Sequence, residues 1–221
     1  MDQDRWNAVD AYIVDRLISS DEALGDVLAA NEAAGLPAID VSPSHGKLLH
    51  LIARMIGARR VLEIGTLGGF STIWFARALP AGGKVVTLEF DPAHAKVARA
   101  NFAKAGVADR IELRLGPALD GLAALAAEGA EPFDLVFIDA DKANNPNYLS
   151  WGLKLARPGT VIISDNVVRE GGILDSASRD RDVQGMRRFF DAMGKEPRLS
   201  ATAIQTVGIK GWDGFSVAIV D

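Results

Sequence analysis

Apolar and polar positions follow two rhythms along this chain. Near the N-terminus the spacing is helical, with Trp6, Val9, Ile13 and Leu17 on one face of a predicted helix. Ser19 and Glu22 have the spacing of a capping box opening a second helix. "GLPAID" (35–40) breaks that helix. "SPSHGKLLHLIARMIG" (42–57) predicts a third, with Ser42 as N-cap, Pro43 in the first turn and Gly57 closing the end. Short, continuous apolar runs then take over: "RVLEI" (60–64), "KVVTLEF" (84–90), "RIELRL" (110–115), "FDLVFID" (133–139) and "TVIISD" (160–165). Helical stretches near 70–79, 92–105, 118–128 and 144–156 lie between them.

Strand–helix alternation over five units predicts a parallel sheet covered by helices on both faces, and most of the strands being continuous apolar runs fits that burial. After a helix near 182–193 the pattern changes. "RLSATAIQTVGIKGWDGFSVAIV" (198–220) reads as two longer strands forming an antiparallel hairpin at one edge of the sheet. No linker interrupts the pattern, so residues 1–221 are expected to form a single domain, with 1–36 as an N-terminal helical extension.

Composition narrows the chemistry. Apolar residues make up 48% of the chain, enough for a sizeable core, and there is no cysteine. Disulfides, thiolate nucleophiles, zinc–thiolate and iron–sulfur sites are thereby excluded, which fits a reducing, cytoplasmic setting. No apolar signal-peptide core is visible in the first 30 residues, and no run is long enough to span a bilayer. The net charge of −5 argues against a nucleic-acid partner, whose phosphates need cationic neutralisation.

The stretch "RVLEIGTLGGFSTIW" (60–74) carries the first candidate chemistry. An apolar strand ends in glycines and a helix begins at once, which in an open α/β sheet is where ligands bind. The dinucleotide fingerprint G-x-G-x-x-G, counted from Gly65, needs glycines at positions held by Leu67 and Phe70, and it fails. What remains is Glu63 ahead of Gly65, Gly68 and Gly69. A carboxylate there suits a cationic ligand that donates hydrogen bonds better than it suits a pyrophosphate. Glu89, at the end of the next strand, stands where a carboxylate reaches a ribose diol. A positively charged nucleoside without phosphate, such as S-adenosylmethionine, meets all three features. The alternative is a tight strand–helix turn with solvated glutamates.

Asp139 and Asp165 end "FDLVFID" and "VIISD", and Asn166 follows directly. On neighbouring strands the two carboxylates leave the sheet roughly 4.8 Å apart and repel unless a cation lies between them. All-oxygen donors favour a hard ion: Mg²⁺, Ca²⁺ or Mn²⁺. Helix capping by the two aspartates is the alternative. Lys142, three residues after Asp139, would lie close to such an ion. Its pKa is expected to fall there, making it a candidate base, against the reading of an ordinary surface lysine. Asp141 could pair with it or contact a cofactor. His45, His50 and His94 lack ligand-like clustering, and neither G-x-S-x-G nor H-E-x-x-H occurs. An NAD-dependent oxidoreductase and a cofactor-binding protein without turnover stay open as rivals.

Taken together, "VLEIGTLGGFST", "VVTLEFD", "LGPAL", "FIDADK" and "ISDNVV" resemble the metal-dependent class I O-methyltransferases of the catechol and caffeoyl-CoA type and their bacterial relatives. "DVSPSHGKLL" and "QTVGIKGWDGFSVAIV" extend the resemblance from about residue 37 to the end. It implies an α/β, Rossmann-like class I methyltransferase fold, with a seven-stranded, mostly parallel sheet whose last strand is antiparallel. It implies Asp139, Asp165 and Asn166 as ligands of a divalent cation, Mg²⁺ foremost, and Lys142 as the catalytic residue. By position Val41, Glu63, Gly65, Thr66, Ser71, Glu89, Ala118 and Asp141 match its S-adenosylmethionine contacts. "GPALD" replaces the Ser-Gln pair of the catechol type, as in the caffeoyl-CoA type. The expected reaction is methyl transfer to a hydroxyl of a vicinal diphenol. Dimers are usual in the caffeoyl-CoA-like group, and with the N-terminal apolar stripe this gives the expectation of a homodimer.

Overall fold

The computed structural model describes residues 2–18 and 21–221. Helix α1 (Gln3–Leu17) is capped by Asp2, and α2 (Glu22–Ala33) by Asp21, whose carboxylate accepts from Leu24 N. Ser19, expected as the cap of α2, lies outside the described residues. Helix α3 (Pro43–Met55) starts as expected, with the Ser42 hydroxyl accepting from His45 N at 3.2 Å.

Strands β1 (Arg60–Ile64), β2 (Lys84–Glu89), β3 (Ile111–Leu115), β4 (Phe133–Ile138) and β5 (Ala156–Asp165) alternate with α4 (Phe70–Ala78), α5 (Pro92–Lys104), α6 (Ala118–Ala127) and α7 (Asn145–Lys154). Helix α8 (Arg181–Lys195) and the hairpin β6 (Leu199–Gly208) and β7 (Gly211–Val220) complete the order. Strand β5 starts four residues before Thr160. Ala156 pairs with Phe133 while Val161 pairs with Leu135, so the strand bulges through Pro158 and Gly159.

The sheet has the order β3-β2-β1-β4-β5-β7-β6. Strands β1 to β5 are parallel, and β7 runs antiparallel between β5 and β6. From β1 the chain moves outward through β2 to β3, then crosses back to β4 on the other side. The strand order therefore reverses between β1 and β4, where a crevice opens beyond the carboxyl ends.

Alternation along β1 divides the core in two. Val61 faces a cluster with Leu49, Ile73, Phe75, Val85, Phe137 and Ile163, under α3, α4 and α5. Leu62 and Ile64 face Leu122, Val136, Leu149, Ile162, Met186 and Phe189, under α6, α7 and α8. Burial of a side chain like Leu62 stabilises the fold by about 1.5–3 kcal/mol. Both faces of the central strands are covered, so the strand ends are fixed from above and below.

Helix α1 has no buried residue. Trp6 and Ile13 lean inward, while Val9, Tyr12 and Leu17 are 52%, 64% and 72% exposed. The helix is tied to the hairpin tip, with Asp10 Oδ2 accepting from Ile209 N at 2.7 Å and Gln3 Nε2 donating to Gly208 O at 2.8 Å. Of the stripe expected on one face, Trp6 and Ile13 are thus half-buried, while Val9 and Leu17 face solvent.

Candidate active site

A cavity of about 780 Å³ opens at the β1/β4 crevice. The turn after β1 forms one wall, with Gly65 and Thr66, and Ser71 follows in α4. Val41 enters from the segment before α3, Glu89 from the end of β2 and Ala118 from the start of α6. Asp139, Asp141, Lys142 and Asn166 form the far end, on the turns after β4 and β5. Two of the candidate residues, Glu63 and Asp165, lie behind this wall rather than in it.

The glycines of the turn answer first to packing against protein. Gly65 has φ +101°, and a Cβ there would collide with the backbone carbonyl of Asp139. It lets β1 and β4 turn outward side by side. A Cβ on Gly68 would collide with the Asn31 carboxamide. Asn101 Nδ2 donates to Gly68 O at 2.8 Å and to Asn31 Oδ1 at 3.0 Å, and Asn31 Nδ2 donates to Asp40 Oδ1 at 2.9 Å. This chain joins α2, the cavity-lining Asp40 and the glycine turn. It went unseen in the sequence because its members are separated by up to 70 positions.

Glu89 organises the same turn from the next strand. Its Oε2 accepts from Thr66 N at 3.1 Å and Leu67 N at 2.8 Å, and its Oε1 accepts from Asp91 N at 2.9 Å. Leu67 holds φ +51°, unusual for a branched residue, and this bond fixes it. A carboxylate has about four acceptor sites, so Glu89 keeps capacity for a ligand's hydroxyls. Glu89→Ala is expected to weaken S-adenosylhomocysteine binding by at least tenfold and to lower the melting temperature, because three backbone donors lose their acceptor. Each hydrogen bond to a charged acceptor is worth about 1.5–3 kcal/mol. Calorimetric titration of the folded variant reads the first effect, and unchanged affinity rejects Glu89 as a ligand contact.

Glu63, expected at a cationic ligand, meets hydroxyls of the protein itself. It is fully buried, and its carboxylate accepts from Ser71 Oγ at 2.6 Å, Thr87 Oγ1 at 2.7 Å and the Thr72 hydroxyl. The central strand of a doubly covered sheet offers no open face, so the carboxylate turns to hydroxyls of α4 and β2. Its reach towards the cavity passes through Ser71. Burial pushes its pKa up to about 7, opposed by the three hydroxyl donors. The folded protein thus holds the neutral acid over a range where the unfolded chain ionises. Glu63's contribution is fully present below the ordinary carboxylate pKa, falls as pH rises towards 7 and is flat above. Glu63→Gln is expected to remove this slope, worth on the order of 3 kcal/mol. Urea unfolding of variant and wild type at pH 5 and pH 8 checks it: the stability difference must shift in the variant's favour at pH 8.

At the far end, β4 and β5 are parallel neighbours, with Ile138 opposite Ser164, so Asp139 and Asp165 leave adjacent strand ends. Lys142 is 5% exposed, and its Nζ donates to Asp139 Oδ1 at 2.7 Å, so it is not a surface lysine. Asp165 Oδ1 accepts from Asn166 N at 2.8 Å, and Oδ2 lies 3.5 Å from His45 Nδ1. Burial, and then the charge of Asp139, push the Asp165 pKa up to about 6, opposed by His45 and Lys142. Asn166 sits at φ +53° and lines the cavity. Among the described residues no three of His, Cys, Asp and Glu gather into a metal cluster. The donor set is two carboxylates and an amide oxygen, crowded at strand ends. Those hard oxygens, and a repulsion that Lys142 relieves only at Asp139, fit a hard divalent ion.

Asp141 turns away from Lys142. Its Oδ2 accepts from Asn144 Nδ2 at 2.7 Å, and Oδ1 accepts from the Tyr148 hydroxyl. Burial and Asp141 together push the Tyr148 pKa well up, so the phenol stays protonated as donor. Two histidines set aside for want of clustering each meet a carboxylate: His45 at Asp165, and His94, which lines the cavity, 3.5 Å from Glu89 Oε1. Sequence distance hid both meetings. His50 instead packs against Trp74 with its Nδ1 3.1 Å from the Trp74 carbonyl, and belongs to the helix boundary.

Comparison with known proteins fits this geometry. The O-methyltransferase family model matches residues 18–216. A catechol O-methyltransferase from Mycobacterium tuberculosis is 58% identical over 212 residues, covering 96% of this chain and 94% of the relative. A catechol O-methyltransferase from Niastella koreensis is 48% identical over 220 residues, covering both chains fully. The crystal structure of an O-methyltransferase from Bacillus cereus in complex with SAH superimposes with a TM-score of 0.99 at 57% identity, covering all of both chains. That of an O-methyltransferase from Streptomyces achromogenes in complex with SAM does so with a TM-score of 0.96 at 49% identity, covering 100% of this chain and 99% of the other. With the glycine turn, Glu89 and the seven-stranded sheet in place, these matches show that the chain belongs to the O-methyltransferase family and is an S-adenosylmethionine-dependent class I enzyme.

Proposed function

We propose that this enzyme methylates one hydroxyl of a vicinal diphenol, with a hard divalent cation held by Asp139, Asp165 and Asn166. The observation that carries the reading is the continuity of one cavity from Glu89 and Ala118 to Asp139, Lys142 and Asn166. The names of the two catechol O-methyltransferase relatives support the substrate class. Family membership sets aside the oxidoreductase alternative.

In this reading S-adenosylmethionine supplies an electrophilic methyl on a sulfonium. Val41, Gly65, Thr66, Ser71, Glu89, Ala118 and Asp141 hold that cofactor, and Glu63 acts on it through Ser71. A phenol has a pKa of about 10 and is a poor nucleophile at neutral pH. The cation, when bound, would supply positive charge that favours the phenolate. Lys142, as the neutral amine, would take the hydroxyl proton and become the ammonium that pairs with Asp139, and the enclosing walls would position acceptor against donor. Assaying a panel of catechols and hydroxycinnamate derivatives with labelled methyl donor, with and without chelator, tests the reading. Absence of turnover on every vicinal diphenol rejects the substrate class.

The reading extends to the whole chain acting as one catalytic domain, in the cytoplasm, as a homodimer. Among the described residues no helix is long and apolar enough to cross a membrane. Exposed Val9, Tyr12 and Leu17 on α1, with Ile204 and Val207 on the edge strand β6, support a second copy of the chain as partner. Light scattering at micromolar concentration is expected to give twice the 23.5 kDa chain mass. A monomer mass rejects the dimer.

A further inference from the structure

A second cleft, of about 580 Å³, lies between α8 and the turn that carries Lys142. Arg181, Gln184 and Arg188 are spaced along one face of α8, and Arg179 joins them from the preceding segment. Ala143 and Asn144 line the opposite side. Asn144 also lines the main cavity, so the two spaces share that residue as a wall.

The cations of this cleft have no ion-pair partner among the described residues. Among the described residues, none of the three guanidinium groups has a carboxylate within 4.0 Å. The neighbouring acids are engaged elsewhere. Asp180 Oδ1 caps α8 by accepting from Asp182 N at 2.8 Å and Val183 N at 3.4 Å. Asp182 Oδ1 accepts from Ala143 N at 3.1 Å, and its other oxygen is 3.9 Å from Arg169 Nη2. Arg188 donates only to the Ala143 carbonyl, at 3.3 Å. In a chain of net charge −5, three converging cations without acidic partners are not explained by surface balance. Guanidinium is the side chain whose planar fork matches carboxylate and phosphate oxygens.

We propose that this cleft is an anion subsite that receives a carboxylate or phosphate arm on the acceptor substrate while its hydroxyl sits at Lys142. The inference rests on the methyl-transfer reading above and adds a substrate feature to it: a ring bearing the diol at one end and an anion on a short arm at the other. The cleft selects the arm by charge, so the preference weakens as salt rises, with the Debye length near 8 Å at 0.15 M ionic strength.

The test compares three catechols of equal arm length, ending in a carboxylate, the matching amide and a phosphate. The assays use wild type and the double variant Arg181→Gln/Arg188→Gln, whose altered side chains are exposed. Wild type is expected to prefer the acid to the amide by about tenfold in kcat/KM at low salt, in line with charge-assisted pairing to arginine. The double variant is expected to lose most of that ratio. A preference for the phosphate arm over the carboxylate, or the reverse, identifies which anion the cleft takes. Equal rates on acid and amide in wild type, or a fall in the variant that is the same for both, overturns the subsite. If no catechol is turned over, the diphenol reading fails by itself, and calorimetric titration of the same three compounds decides the subsite. About tenfold weaker binding of the armed anions to the variant than to wild type then supports it, and equal binding overturns it.

Discussion

Turnover by Lys142→Ala is expected to fall by about 10²–10⁴-fold, the usual cost of removing a general base. The side chain is buried, lines the cavity and leaves a one-turn 3₁₀ segment that follows β4 directly, so its amine is held at the far end of the site. Its bond to Asp139 complicates the alanine variant. Removing the ammonium leaves Asp139 beside Asp165 without a counter-charge, and breaking one partner of a buried pair can cost about 3–5 kcal/mol. Lys142→Arg separates the two roles. It keeps the positive charge and the pair with Asp139, but a guanidinium does not give up its proton in a protein. The arginine variant is therefore expected to keep most of the wild-type melting temperature while losing turnover nearly as far as the alanine variant. Both defects should shrink at higher pH and on diphenols of lower pKa, which need less help to ionise. Wild-type turnover of Lys142→Arg near neutral pH would remove the lysine from proton transfer and leave it a counter-ion of Asp139.

Fold and site were legible in the sequence to different depths. The parallel sheet was readable because most of its strands are mainly apolar runs alternating with helices, and the adjacency of Asp139 and Asp165 followed from consecutive strands being neighbours. The ends of β1, β2, β4 and β5 then had to converge, which is why so many candidate residues line one cavity. What was hidden depends on orientation or on long-range contact. Its place next to the glycines points Glu63 at a ligand, but nothing local shows that β1 is enclosed from both sides and that the carboxylate meets Ser71, Thr72 and Thr87. The bond between Asn101 and Asn31 joins residues 70 positions apart, and no local pattern announces it. On α1 only Trp6 and Ile13 of the stripe are half-buried, and the helix is tied to the hairpin tip at Gly208 and Ile209 through the polar Gln3 and Asp10. Arg179, Arg181 and Arg188 form no sequence motif, and only the fold sets the turn at Ala143 and Asn144 beside them to make a cleft.

Removal of divalent cations is expected to abolish turnover, and Mg²⁺ or Mn²⁺ to restore it. The argument is electrostatic. Asp139 and Asp165 end neighbouring strands, Asp165 is buried, and burial together with Asp139 pushes its pKa up to about 6. Lys142 supplies one positive charge to this pair, through Asp139 alone within bonding distance. At neutral pH the metal-free site thus retains crowding that a divalent ion would relieve, and the three side chains offer it only oxygen. An ion that binds the folded state alone raises stability with its concentration, by about 2.7 kcal/mol at a hundred times its dissociation constant. Wild type is accordingly expected to gain several degrees of melting temperature in millimolar Mg²⁺, in the absence of any substrate. Asp165→Asn should behave in the opposite sense on two counts. It removes one of the two facing carboxylates, so the metal-free variant melts above metal-free wild type, and it loses most of the gain on adding Mg²⁺. Turnover and melting then report the same site by independent routes. Full turnover in chelator, together with a melting temperature indifferent to Mg²⁺, would assign activation of the hydroxyl to Lys142 and the protein charges alone.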